Sequence, residues 1–132
     1  MGIINEKGAK LTLDTEEYSL LFTVNAIEKF EDEMGESIDS LANFLYDSGK
    51  ENDKLKIKFG DVAKITWILI NECNEIRAER TGEKPEILTL NQIKRRISNA
   101  NVHECISAII SAYSLSFLKE ENEENPKTSS QR

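Results

Sequence analysis

Residues 62–80 constrain the fold most, because they predict a long helix with apolar side chains around most of its circumference. One apolar stripe follows the helical spacing of three and four residues. Its members are Val62, Ile65, Leu69, Cys73 and Ile76. Three further apolar residues widen this stripe: Trp67, Ile68 and Ile70. Such a helix must lie at the centre of a domain or be covered by another chain.

The segment before this helix predicts a β-hairpin followed by two shorter helices. Residues 10–13 alternate polar and apolar side chains, a polar turn follows at 14–17, and an apolar run resumes at 18–22. Apolar residues then recur at helical spacing up to Met34, and Gly35 is placed to end that helix in the left-handed conformation. The next helix starts at Ser37, and residues 47–49 end it.

Two more helices are predicted after the long one, which residues 82–85 break with glycine and proline. Three pairs have the spacing of an N-terminal capping box: Asn25 with Glu28, Thr89 with Gln92, and Asn101 with Glu104. Gly60 and Asp61 are predicted to cap the long helix. The fold class is therefore mainly α, with about five helices in one compact domain and an N-terminal β-hairpin.

The length of 132 residues suits a single domain. We assign residues 10–118 to it, with a flexible N-terminus at 1–9 and a disordered polar tail at 119–132. The tail carries no apolar side chain after Glu120, so it cannot bury enough surface to order itself.

The composition predicts an acidic cytoplasmic protein. The formal net charge of -7 argues against general nucleic-acid binding, which depends on clustered Lys and Arg. No apolar run is long enough for a membrane span, and the first residues lack a signal-peptide pattern. Both cysteines, Cys73 and Cys105, fall in apolar helical patterns and are interpreted as core residues in a reducing compartment. A disulfide or redox pair is the alternative.

The sequence predicts no catalytic residue, no metal site and no cofactor. The single histidine, His103, precedes Glu104 and Cys105, and adjacent residues on a helix point in different directions. His103 is therefore interpreted as a helix-surface residue, and a metal site would need ligands from elsewhere in the fold. No phosphate-binding glycine loop, nucleophile elbow or paired-cysteine motif is present in the sequence.

The basic run at residues 94–96 supplies the main alternative function, a small DNA-binding regulator with a helix-turn-helix. The helix that would read the bases, 102–117, contains no Lys or Arg. We therefore interpret the basic run as a solvated helix face, and a docking patch for an acidic partner as the next alternative.

A partner-binding surface is the functional hypothesis that the residues themselves favour. Trp67 lies about 200° around the helix from Ile65, so it projects from a second apolar face. The predicted contact residues are Trp67, Ile68, Ile70, Phe44 and Tyr113.

Three segments carry a resemblance to a known family. Residues 22–38 read FTVNAIEKFEDEMGESI, residues 59–69 read FGDVAKITWIL, and residues 88–93 read LTLNQI. In order and spacing they resemble segments of the tail assembly chaperones of long, non-contractile-tailed phages and related gene transfer agents. The likeness covers roughly residues 10–117.

The resemblance implies a non-catalytic role in building a phage or prophage tail. Members of that family bind the helical tape measure protein before the tail tube polymerises around it. The implied partners are the tape measure protein and, as a further candidate, the tail tube protein, with a homo-oligomer left open and neither nucleic acid nor membrane involved. The implied location is the bacterial host cytoplasm and not the mature virion. A connector or tube-associated subunit of the virion is the alternative.

Overall fold

The computed structural model describes residues 8–43 and 58–118. Several predictions concern residues outside these ranges and are therefore not addressed by the structure. They are the flexible N-terminus up to residue 7, the helix end at 47–49, the contact residue Phe44 and the polar tail from 119.

The N-terminal hairpin is confirmed. Strand β1 (Ala9–Leu13) pairs antiparallel with β2 (Glu16–Leu20), and Leu13 lies opposite Glu16. The turn is shorter than predicted, because only Asp14 and Thr15 connect the strands. Both have positive φ, 50° and 70°, which is the geometry of a type I′ turn. This turn has the twist that two paired strands require.

Five helices lie within the described residues, as predicted. They are α1 (Val24–Met34), α2 (residues 38–43), α3 (Phe59–Thr81), α4 (Leu90–Arg96) and α5 (Val102–Tyr113). A π-helical segment (Ser114–Leu118) continues α5.

Helix α3 is the centre of the described fold. It packs against β2, α1, α4 and α5, while α5 packs against β1. Buried residues occur on most faces of α3, among them Val62, Ile68, Leu69 and Ile70. Of the two situations predicted for this helix, a central position is therefore the one observed. No described helix combines the length and apolarity that crossing a membrane requires.

Several helix ends follow the sequence signals. Thr89 and Gln92 form the predicted capping box, with N···O distances of 3.1 Å and 2.8 Å. Gly35 and Gly82 end α1 and α3 in the left-handed conformation, and the N–H of each bonds a carbonyl four residues back.

Three predicted side-chain caps are wrong, although Asn101 is the N-cap residue of α5 as predicted. Thr23, not Asn25, caps α1, since its hydroxyl accepts from the N–H of Ala26. Helix α3 begins at Phe59, before Gly60 and Asp61, and Lys58 caps it without a side-chain hydrogen bond. Asn101 makes no side-chain cap bond because its amide instead joins the N–H of Ser98 and the carbonyl of Arg96.

Candidate partner-binding surface

The predicted contact residues that the structure describes divide into two buried core residues and two half-buried ones. Ile68 and Ile70 are 3% and 0% exposed and belong to the core, so neither is available to a partner in this conformation. Their apolar character reflects the central position of α3, and they are reassigned to core positions. Trp67 and Tyr113 are half-buried and pack against the core from two different helices.

Trp67 holds the segment that connects α3 to α4. Its indole N–H donates to the carbonyl of Leu88, with an N···O distance of 2.8 Å. One turn further along α3, Asn71 donates to the same carbonyl and accepts from the N–H of Leu88. Asn74 donates to the carbonyl of Glu86. The second apolar face of α3 is therefore covered by this chain itself.

Tyr113 belongs to an aromatic cluster at the end of α5. Its ring lies 4.4 Å from that of Phe117 and 6.0 Å from that of Phe22, between centroids. The Phe22 contact is edge-to-face, an arrangement that aromatic quadrupoles favour. The cluster joins the π-helical segment to the end of the hairpin.

Two exposed apolar side chains, Val24 and Leu115, belong to the segments that form this cluster. Ser116 donates to the carbonyl of Phe22 at 3.0 Å and so holds the π-helical segment against residues 22–24. Val24, the first residue of α1, is 78% exposed, and Leu115 is 41% exposed. We call Val24, Leu115, Tyr113 and Phe117 the junction patch.

Two other large apolar side chains are exposed among the described residues. Phe59 is at the start of α3, and Ile87 precedes Leu88 in the α3–α4 connection. A few isolated exposed apolar residues are usual for folded proteins. The junction patch differs because its two exposed and two half-buried apolar side chains belong to two segments that the Ser116–Phe22 hydrogen bond holds together.

A buried carboxylate on α3 binds the start of α1. Glu72 of α3 is 8% exposed and accepts from the hydroxyl of Thr23 at 2.5 Å and from the amide of Asn25 at 2.9 Å. This network was not predicted, because the spacing of Asn25 and Glu28 indicated a capping box. The available signal was the position of Glu72 seven residues after Ile65, on the apolar stripe of α3.

The cysteines and the histidine that were considered as redox or metal-binding residues do not form such a site among the described residues. Cys73 and Cys105 are buried and form no disulfide with each other, as the apolar pattern predicted. Burial, with the Glu104 carboxylate nearby, raises the pKa of Cys105 to about 11. His103 is exposed on α5, and the described residues contain no group of metal-ligating side chains that could hold an ion.

The basic run ends α4. Lys94 and Arg95 are exposed, while Arg96 is half-buried and donates to the carbonyl of Gln92. Cations in the last turn interact favourably with the helix dipole. This contact gives the run a local structural role within α4.

Comparisons of the chain with protein-family models, curated proteins and solved structures returned no match.

Proposed function

We propose that this chain is a non-catalytic tail assembly chaperone that binds the tape measure protein in the bacterial cytoplasm during construction of a phage or prophage tail. The first support is the ordered resemblance of residues 22–38, 59–69 and 88–93 to segments of that family. The resembling segments begin, respectively, at the end of the hairpin, at the start of α3 and at the entry to α4.

The junction patch is the observation that carries the proposal. One member, Val24, lies in the first resembling segment, and the Ser116–Phe22 hydrogen bond ties the segment that carries the other three to it. Its apolar side chains suit the apolar face of an amphipathic client helix, which docks through residues three and four positions apart. The formal charge of -7 keeps a complex with an aggregation-prone client in solution.

Co-expression with the tape measure protein encoded in the same gene cluster tests the function. We expect the tagged chain to retain the client in solution and to capture it on a column. The double variant Val24→Ser with Leu115→Ser should lose most of this capture, since both side chains are largely exposed and contribute little to the core.

Ile87→Ser is the matched control, because Ile87 is 50% exposed and belongs to the α3–α4 connection, not to the junction patch. It should capture the client as the unmodified chain does. Equal capture by the double variant would exclude the junction patch as the client surface. Failure of the unmodified chain to bind or solubilise the client would exclude the proposed function.

Mass spectrometry of purified virions separates this role from that of a structural tail subunit. A chaperone acts before the tube closes and should be absent from the finished particle. Stoichiometric recovery of the chain from virions would favour a connector or tube-associated subunit.

A further inference from the structure

The outer edge of β1 presents backbone groups that β2 does not use. In a hairpin closed by a two-residue type I′ turn, the residues flanking the turn exchange both backbone hydrogen bonds, here Leu13 and Glu16. Bonded and non-bonded pairs then alternate along the ladder. The N–H and C=O groups of Lys10 and Thr12 therefore point away from β2.

The two edges of the hairpin are covered differently. On the β2 side, the N–H of Leu21 approaches the carbonyl of Leu69 at 3.4 Å, and α3 packs along the strand. On the β1 side, no hydrogen bond joins the outward backbone groups of Lys10 and Thr12 to another part of the described chain. A groove of about 530 Å³ follows this edge. An open strand edge is a template for pairing with another strand.

We propose that the outer edge of β1 pairs with the same edge of a second copy of this chain. The two hairpins then form a four-stranded antiparallel sheet around a two-fold axis, with both β1 strands at its centre. The pairing is isologous, so every contact occurs twice.

Charge selects the register. Lys10 and Thr12 are the outward-pointing positions of β1 and must face outward-pointing positions of the second copy, and the turn residue Asp14 lies two positions beyond Thr12. Pairing Lys10 with its own copy sets like charges opposite each other, which is destabilising. Pairing Lys10 with Thr12 of the second copy gives Lys10 no opposite charge. Pairing Thr12 with its own copy instead brings Lys10 towards Asp14 of the second copy, at both ends. All three side chains are exposed.

Helix α5 supplies a second layer for the same interface. It packs against β1, and the other wall of the groove includes its exposed residues His103, Glu104, Ser107 and Ser111. The two-fold axis that joins the strands brings the second copy of α5 alongside the first. The short side chains of Ser107 and Ser111 leave room for this approach.

Sedimentation equilibrium over a wide range of protein concentration tests the association. The unmodified chain should form a reversible dimer, and Thr12→Pro should convert it to a monomer. Proline at this position removes an outward N–H but no hydrogen bond of the β1–β2 ladder. Glu17→Pro is the matched control, because Glu17 lies opposite Thr12 and points its N–H to the other edge. It should remain dimeric, and circular dichroism should show that both variants are folded.

Cysteine cross-linking tests the register. Thr12→Cys should form a disulfide-linked dimer on mild oxidation, since hydrogen-bonded partners in antiparallel strands have Cα atoms about 5.5 Å apart, within disulfide range. Glu17→Cys should not. Cys73 and Cys105 are 1% and 0% exposed and do not compete.

Two results would overturn the proposal: a monomer at every concentration, or cross-linking of Glu17→Cys as efficient as that of Thr12→Cys. Both experiments use the chain alone, so their outcome does not depend on whether it binds a tape measure protein.

Discussion

The indole N–H of Trp67 bonds the backbone carbonyl of Leu88, at an N···O distance of 2.8 Å. The same carbonyl accepts from Asn71, whose side-chain oxygen also accepts from the N–H of Leu88. Two side chains of α3 therefore bond both the N–H and the carbonyl of Leu88, which is buried in the irregular α3–α4 connection. These bonds hold the connection against Trp67, which explains why Trp67 is half-buried although it lies outside the main apolar stripe.

Asn71→Ala should destabilise the fold by about 2 kcal/mol, because it removes two hydrogen bonds and leaves the buried N–H of Leu88 without its acceptor. Asn74→Ala is the control, since Asn74 makes one exposed bond to the same connection, and its loss should cost under about 0.5 kcal/mol. Urea unfolding measures both. Trp67 is the single tryptophan, so its emission should shift to longer wavelength in Asn71→Ala. An equal loss of unfolding free energy in Asn71→Ala and Asn74→Ala would contradict the role assigned to Asn71.

Thr23 holds α1 to α3 through one hydroxyl, which accepts from the N–H of Ala26 and donates to Glu72. Thr23→Ala removes both bonds and should lower the free energy of unfolding by about 2 kcal/mol or more. Thr23→Ser retains the hydroxyl and should recover most of this loss. If the serine variant is as unstable as the alanine variant, the methyl group and not the hydrogen bonds stabilises the junction.

The regular parts of this fold could be predicted because local chemistry determines them. The Thr89 cap, the left-handed glycines at 35 and 82 and the alternation of residues 10–13 each depend on neighbours within a few positions. The apolar circumference of α3 restricted it to a central position or coverage by another chain, and the structure shows the central position. These features need no knowledge of which elements pack together.

The contact surface was harder to predict because it depends on long-range packing. The sequence shows that Ile68 and Ile70 are apolar, but not that β2, α1, α4 and α5 surround α3. Likewise, the partner of Asn25 is Glu72, a residue 47 positions away. Helical periodicity assigns a residue to a face, whereas the structure determines what covers that face.

The hairpin turn contains an unfavourable residue. Thr15 has φ of 70°, a left-handed conformation that is costly for a β-branched side chain. Thr15→Gly should raise the free energy of unfolding by about 1 kcal/mol, since glycine adopts positive φ without steric cost. Glu17→Gly, in the adjoining strand, should lower it, because glycine there only adds freedom to the unfolded chain. Thermal unfolding compares the two, and a destabilised Thr15→Gly would show that the threonine side chain makes a compensating contact.

The Cys105 thiol should make stability fall at alkaline pH. Burial raises its pKa in the folded chain from the ordinary 9.0 to about 11, with a smaller contribution from Glu104. Between these values the unfolded chain releases the thiol proton while the folded chain retains it. The unfolded state then binds fewer protons, so the free energy of unfolding decreases as pH rises through this window.

Cys105→Ala removes this titration, and its urea midpoint should fall less steeply than that of the unmodified chain from pH 9 to pH 11. The pKa of Tyr18 is also raised, by burial and by its hydrogen bond to Glu16, and this second group titrates in both proteins. The comparison therefore separates the contribution of the Cys105 thiol from that of Tyr18. Parallel pH profiles would show that Cys105 ionises as readily in the folded chain as in the unfolded one. That result would require water to reach a side chain that is 0% exposed in this structure.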